Sequence, residues 1–201
     1  SLFSFITKWS AKRANRVICI SKALNSFLCN GKLVSKEKLV TVPYGFNFAN
    51  MQLEDVKKKV RYGSPQIIIT GRLEAVKQHD IFLRVIPELL KIFPDLSVLM
   101  VGDGSLKGSL KNISAELGIS KHIQWLGFQK NVHAYIQASD VMVIPSSAEG
   151  FGLVVLESWF HAKPVIAFAV PAINEIVEDG VDGILVSPFF ESSLLTSIII
   201  I

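Results

Sequence analysis

The sequence predicts an α/β protein: a doubly wound, parallel, six-stranded sheet preceded by an incomplete α/β segment. Three observations carry that expectation. From residue 66 onward, short apolar runs alternate with helical patterns until six strands have been laid down. The runs are rich in β-branched residues and apolar at consecutive positions, as in strands covered on both faces. Strict alternation implies parallel pairing with right-handed crossovers, and six units are too few for an eightfold barrel, so an open sheet is expected.

QIII (66–69) is the first strand. Ile81, Phe82, Val85, Ile86, Leu89, Leu90 and Phe93 recur at spacings of three and four and predict a helix, which Pro94 stops. LSVLMVG (96–102) is the second strand, 105–117 a helix closed by Gly118, and HIQWLG (122–127) the third strand. Then come helix 131–138, strand VMVIPS (141–146), helix 152–161, strand PVIAF (164–168), a short helix around 172–178 and strand GILVS (183–187). Ahead of this series, LFSFITKWSAKRA is helical in pattern, RVICIS (16–21) reads as a strand, KALNSFLC as a helix and KLVTVPY (38–44) as a strand. One strand–helix–strand unit cannot bury both of its faces alone, so an upstream partner is expected. The tail LLTSIIII carries no cap, charge or stop signal. The chain therefore reads as a piece of a longer protein: 1–48 the end of a preceding domain and a connection, 49–65 a linker, and 66–201 the six-stranded domain, truncated at its C-terminus.

The 201 residues are half hydrophobic, with a mean hydropathy of +0.42. That excludes a disordered chain and leaves ample material for a core. No apolar run reaches the ~18 residues that span a bilayer. Cys19 and Cys29 are too few for a disulfide scaffold, and reduced thiols in a cytoplasmic protein are expected. No basic segment precedes an apolar stretch, so no signal peptide is expected. The net charge of +4 is unevenly placed: the first 64 residues hold twelve Lys and Arg against three acids. A solvated face, anionic lipid and nucleic acid compete as explanations, and no nucleic-acid module supports the last. Lys57, Lys58, Lys59 and Arg61 before Gly63-Ser64-Pro65 read as a solvated linker. Leu2, Phe5, Ile6 and Trp9 share one helix face, which fits docking on an absent domain or a membrane surface. His79, His122, His133 and His161 are not spaced as metal ligands, although His79 lies close enough to Lys77 to line a phosphate pocket.

Open parallel sheets bind ligands beyond the carboxyl ends of their strands, so the segments after each strand matter most. After the first strand come Gly71, Arg72 and Lys77: a tight turn, a planar fork matched to phosphate and a point charge, or simply surface charge. After the second come Gly102 and Gly104, but the third glycine of a GxGxxG fingerprint is displaced to Gly108 and no acid ends the next strand, which counts against a nicotinamide dehydrogenase. After the fourth comes PSSAEGFGLVVLE (145–157), a glycine-bearing turn leading into a helix whose first amides form an anion cradle. Glu149 and Glu157 flank that cradle. Acids there would repel a bare phosphate but would accept hydrogen bonds from the hydroxyls of a sugar and a ribose. Glu157 is either a solvated helix residue or a binding group; it sits among Val154, Val155, Leu156, Trp159 and Phe160.

Glu149 and Glu157 form an E-x7-E motif within EGFGLVVLE, which resembles that of retaining GT-B glycosyltransferases of the glycosyltransferase 4 type. GRLEAVKQ (71–78), VGDG (101–104), WLGF (125–128), KPVIA (163–167) and EIVEDGVDGILV (175–186) are similar to other markers of that family, in order. VICIS (17–21) and VPYGF (42–46) resemble the end of its N-terminal domain and its interdomain connection. The resemblance implies the GT-B C-terminal domain, a UDP- or GDP-linked sugar as donor substrate, no further cofactor, and a glycan or lipid-linked acceptor. It also implies polysaccharide or lipopolysaccharide synthesis, in the cytoplasm or peripherally on the cytoplasmic face of the inner membrane. Arg72 and Lys77 would bind the donor diphosphate and stabilise the leaving group, Glu149 would contact the transferred sugar, and Glu157 the ribose. Amides near Phe151, Gly152 and Leu153 would line the phosphate and sugar, and Gly71, Gly102 and Gly104 would give the nucleotide room. No Asp-x-Asp metal motif is present, and Arg72 with Lys77 can take a metal's place. The sequence departs from the family in Phe168–Ala172, where a small pair usually stands, in the bulky Trp159, Phe160 and His161, and in lacking most of the acceptor domain and the C-terminal crossover helix. A non-catalytic module derived from such an enzyme is the other reading.

Overall fold

The computed structural model describes residues 2–45 and 60–200. Lys57–Lys59, most of the expected linker and Phe46 of VPYGF lie outside the described residues. The elements are α1 (Leu2–Arg13), β1 (Val17–Cys19), α2 (Lys22–Asn30), β2 (Leu39–Thr41), β3 (Gln66–Thr70), α3 (His79–Ile92), β4 (Ser97–Val101), α4 (Lys107–Glu116), β5 (Ile123–Gly127), α5 (His133–Ala138), β6 (Val141–Ile144), α6 (Leu153–Phe160), β7 (Val165–Phe168), β8 (Ile184–Val186) and α7 (Glu191–Ile200).

The large sheet has the order β5-β4-β3-β6-β7-β8, with every pair parallel. The chain steps outward from β3 to β5, returns to the other side of β3, and steps outward again to β8. That is the doubly wound fold the alternation predicts, and its switch point lies between β3 and β6. Every residue of β4, β6 and β7 is buried, whereas β5 and β8, at the edges, are partly exposed. Hence the central strands read as unbroken apolar runs.

Helix α3 buries Phe82, Leu83, Val85, Ile86 and Leu89 against the sheet. It does so despite Pro87, which lies inside the helix. A mid-helix proline costs about 3 kcal/mol, while each of those side chains contributes roughly 1.5–3 kcal/mol on burial, so packing wins. Leu194 and Ile198 of α7 are buried as well, which gives the uncapped apolar tail a place on the α3 side of the sheet.

One expectation needs correction. Residues 172–178 form turns and not a helix. The backbone N–H groups of Asn174 and Val177 make helix-like bonds, but that of Glu178 donates to Asp182 Oδ1 at 2.8 Å. The carboxylate captures the next donor, and two isolated turns do not nucleate a helix. Arg61, at the end of the expected linker, is exposed but paired. Its guanidinium holds Asp140 through two bonds of 3.0 and 2.7 Å and donates to Ala138 O. Beside it, the buried Gln66 side chain bonds to Val60, Tyr62 and Ala138 backbone and strings residues 60–66 along the sheet.

The N-terminal residues form a separate small layer. β1 and β2 pair in parallel, and Ala11, Cys19, Leu28 and Val34 make a core of their own. Ile18 and Val40 remain exposed on the strands, Val42 just after β2, and Phe5, Ile6 and Trp9 on α1, as expected of a unit too small to cover both faces. Cys19 and Cys29 are free thiols. No helix among the described residues is long and apolar enough to cross a membrane.

Candidate functional site

The switch point places the segments after β3 and β6 side by side, and they are laced together. The Ser147 N–H and Oγ–H both donate to Val76 O, at 2.8 and 3.1 Å. Lys77 Nζ then meets Glu149 Oε1 at 2.6 Å, with the two side chains only 17% and 11% exposed. Residues seventy-two positions apart thus form an ion pair largely shielded from water. Arg72, on the same loop as Lys77, is exposed, and its guanidinium has no hydrogen-bond or ion-pair partner among the described residues.

The glycines explain how the loops come so close. Gly71 has φ +146°, and the aliphatic stem of Lys77 lies 3.5 Å from where its Cβ would be. A Cβ on Gly102, at φ +143°, would fall 1.8 Å from Gly71 O. One on Gly104 would fall 2.5 Å from Leu73 O. The space left at Gly102 and Gly104 is therefore filled by the backbone of the loop after β3. Bonds from Gly71 N to Val101 O and from Leu73 N to Asp103 O reinforce the fit. So does Glu74, which accepts from the N–H and hydroxyl of Ser105.

Helix α6 starts at Leu153 behind Gly152, whose φ of +96° belongs to the left-handed region. A side chain there would also strike Ile173 at 2.7 Å. The first amides of α6 thus open beside Glu149 and Phe151. Glu157 lies one turn further in. Burial pushes its carboxyl above the ordinary value, and it has no hydrogen-bond or ion-pair partner among the described residues. Among the described residues no hydrogen bond or ion pair joins Glu157 or Arg72 to the Lys77–Glu149 pair, so the structure directly links two of the four predicted charged groups. The bulky residues at the end of α6 and just beyond it turn to other tasks: Trp159 Nε1–H donates to Asp182 O, and His161 Nε2 lies 3.0 Å from His133 Nδ1. Phe168, Val170 and Ala172 go into the core.

His79 opens α3 directly behind Lys77 and is 2% exposed. Burial, and secondarily the Lys77 charge, depress its pKa to about 4, so the ring is neutral near pH 7. Its Nδ1 is buried without a partner among the described residues, as are Thr70 Oγ1 and Gln78 Oε1. Three such atoms along 70–79 call for an explanation beyond the protein itself. Two further residues lie at the site, Ser21 at the end of the family-like segment 17–21 and Glu175 at the start of 175–186, and neither is assigned a role from sequence: Ser21 Oγ–H donates to Gly150 O at 2.7 Å, and the Glu175 carboxylate accepts the backbone N–H groups of Lys22 and Ala23. The serine before a helical run marks an N-cap, but nothing local reveals what else it holds.

Comparison with known proteins agrees with this architecture. The glycosyl transferases group 1 model matches residues 51–200. The chain is 37% identical over 134 residues to the D-inositol 3-phosphate glycosyltransferase of Nocardia farcinica, covering 62% of this chain and 30% of that one. It is 26% identical over 195 residues to the UDP-Gal:alpha-D-GlcNAc-diphosphoundecaprenol alpha-1,3-galactosyltransferase of Escherichia coli, covering 92% and 50%. The structure superposes on HepE of Anabaena, solved with UDP and glucose, with a TM-score of 0.84 at 22% identity over 96% of this chain and 56% of that one. The chain spans about half the length of the curated relatives that it matches over most of its own. With its six-stranded doubly wound sheet and the matched segment from 51 to 200, the chain belongs to the glycosyl transferases group 1 family and has a GT-B fold.

Proposed function

We propose that this chain is the donor-binding half of a retaining, metal-independent glycosyltransferase. Its donor is a nucleoside-diphosphate sugar, UDP- or GDP-linked, and its acceptor a glycan or a lipid-linked glycan in polysaccharide or lipopolysaccharide synthesis. The observation that carries this reading is the Lys77–Glu149 pair at the switch point, with Arg72 free on one side and the amides of α6 on the other. The lipid-linked substrate named for the Escherichia coli relative and the UDP bound to HepE support it.

In the reaction, the bond between the anomeric carbon and the leaving phosphate oxygen breaks and its electron pair stays on that oxygen. The acceptor oxygen bonds to the anomeric carbon on the face that the phosphate leaves, as retention in one displacement requires, and its proton passes to the departing phosphate oxygen. Negative charge grows on the diphosphate as the sugar becomes oxocarbenium-like. Arg72, the Lys77 ammonium and the α6 amides interact more strongly with that developing charge than with the intact donor, which lowers the barrier. Lys77 has three donors, so it can hold a phosphate oxygen while keeping Glu149. Glu149 is thereby fixed to accept from a sugar hydroxyl, and Glu157 awaits the ribose diol. The basic N-terminal third and the exposed Phe5, Ile6 and Trp9 suit a peripheral contact with anionic membrane.

Calorimetry with UDP, GDP and ADP tests the reading. Binding of at least one, weakened more by Arg72→Ala for the diphosphate than for the nucleoside, is the expected result. A folded chain that binds none of them would overturn it and would favour a non-catalytic interaction module.

A further inference from the structure

The loop 149–152 is short, glycine-rich and central to the site, and beyond the Lys77–Glu149 pair part of its hold comes from the N-terminal layer. The described partner of the Gly150 carbonyl is Ser21 Oγ–H, at 2.7 Å. Ser21 is 1% exposed and also caps α2, accepting from Leu24 N at 3.1 Å. Ile20 Cδ1 stands 3.4 Å from the position of a Cβ on Gly150. The Tyr44 ring meets Phe151 edge to face, with centroids 5.7 Å apart. All three come from the N-terminal layer, on the far side of the linker.

The second grip comes from the turns after β7. Ile173, fully buried, presses on Gly152 from that segment. Two residues further on, the Glu175 carboxylate takes the first two N–H groups of α2, bonding Lys22 at 2.8 Å and Ala23. A carboxylate across two free amides at a helix N-terminus is a favourable pairing of charge and dipole. The turn 170–177, the start of α2 and the loop 149–152 therefore form a closed ring of contacts. Removing one member loosens the others.

We propose that Ser21 and Glu175 are positioning residues for the loop 149–152. Through them the N-terminal α/β layer sets the conformation in which Glu149 meets Lys77 and the amides of α6 stay open. What the loop binds rests on the functional reading above, whereas the positioning itself does not. Ser21 touches the loop backbone and no reacting group, so its effect passes through Gly150.

Hydrogen exchange on the full chain tests this without any ligand. Ser21→Ala should speed exchange of the amides of 147–153 by about five- to tenfold, as expected of a local opening, while amides of β3, β4 and β6 keep their rates. Ser21→Thr, which keeps the hydroxyl, should exchange like the unaltered chain. Glu175→Gln, made in the large domain, should loosen both the start of α2 and 147–153. Faster exchange confined to 17–30 would make Ser21 a helix cap and nothing more, and would overturn the proposal. So would a uniform rise across the sheet. With UDP, GDP and ADP as probes, Ser21→Ala should weaken binding several-fold and Ser21→Thr should restore it. If the unaltered chain binds none of the three, the functional reading fails, and the exchange pattern alone still decides the positioning role.

Discussion

Replacing Lys77 by alanine would strand the Glu149 carboxylate in a site where it is 11% exposed. Breaking a buried pair by deleting one partner costs about 3–5 kcal/mol, whereas exposed pairs are worth about 0–1 kcal/mol. The pair lies between those limits but nearer the first, so Lys77→Ala should destabilise the chain by about 2–3 kcal/mol. For a chain of this size, that lowers Tm by roughly 5–10 °C. Adding Glu149→Gln removes the stranded charge, and the double variant should recover most of the loss. Urea melts of the two single variants and the double variant give the coupling energy, expected near 2 kcal/mol. A coupling below about 0.5 kcal/mol would mean that each side chain finds water on its own, and the argument that the pair is a shielded unit would fail.

Arg72→Ala should behave differently from Lys77→Ala: with no partner to strand, it should leave stability within about 0.5 kcal/mol and weaken UDP binding about 10- to 100-fold in calorimetry. Gly102→Ala places a methyl group 1.8 Å from Gly71 O at φ +143° and should abolish cooperative unfolding or cost more than about 4 kcal/mol. Gly108→Ala, in α4 with open space around it, should stabilise by about 0.5–1 kcal/mol in the same urea melts. His79 is held neutral in the fold, with its pKa depressed to about 4. Its contribution is fully present above about pH 6.5 and is lost as pH falls toward 4, because the unfolded chain takes up the proton first. Stability should therefore fall by about 3 kcal/mol over that interval, and His79→Gln should flatten the slope.

The sheet was legible because β3, β4, β6 and β7 are enclosed on both faces and therefore carry consecutive apolar residues, Ile67–Ile69, Val98–Val101, Val141–Ile144 and Val165–Phe168. Their flanking glycines and Pro94 marked where strands and helices stop. Segment 172–178 misled because Ile173, Ile176 and Val177 have helical spacing, while the bond from Glu178 to Asp182 that breaks the helix involves a side chain beyond the pattern. The pairing of Arg61 was not legible because its partner, Asp140, is seventy-nine residues away. The same distance problem governs the site. The residue types after β3 and β6 announced anion and hydroxyl chemistry, and the fold class announced that those loops meet. Neither could reveal that Lys77 and Glu149 neutralise each other, or that a serine of the N-terminal layer holds Gly150. Sequence pattern carries local geometry and burial; pairing between loops depends on how strands are ordered in space.

Glu157 shows what remains once the site's own pairings are made. Lys77 and Glu149 satisfy each other, and Glu74 is held by Ser105. Glu157 is left among apolar neighbours, and burial raises its pKa above the ordinary value. The sign of the linkage follows: its contribution to stability is present below the ordinary glutamate value, about pH 4.3, and is lost as pH rises through the raised folded value. Glu157→Gln removes that dependence. The variant and the unaltered chain should have similar stability near pH 4, and the variant should become the more stable of the two toward pH 7. A residue that costs stability at neutral pH is expected where a ligand repays the cost, and a ribose diol would donate two hydrogen bonds to the carboxylate. The variant should accordingly lose affinity for UDP while keeping its affinity for inorganic pyrophosphate. Equal losses for both ligands, or no gain in stability at neutral pH, would place Glu157 among ordinary helix-surface acids and remove it from the site.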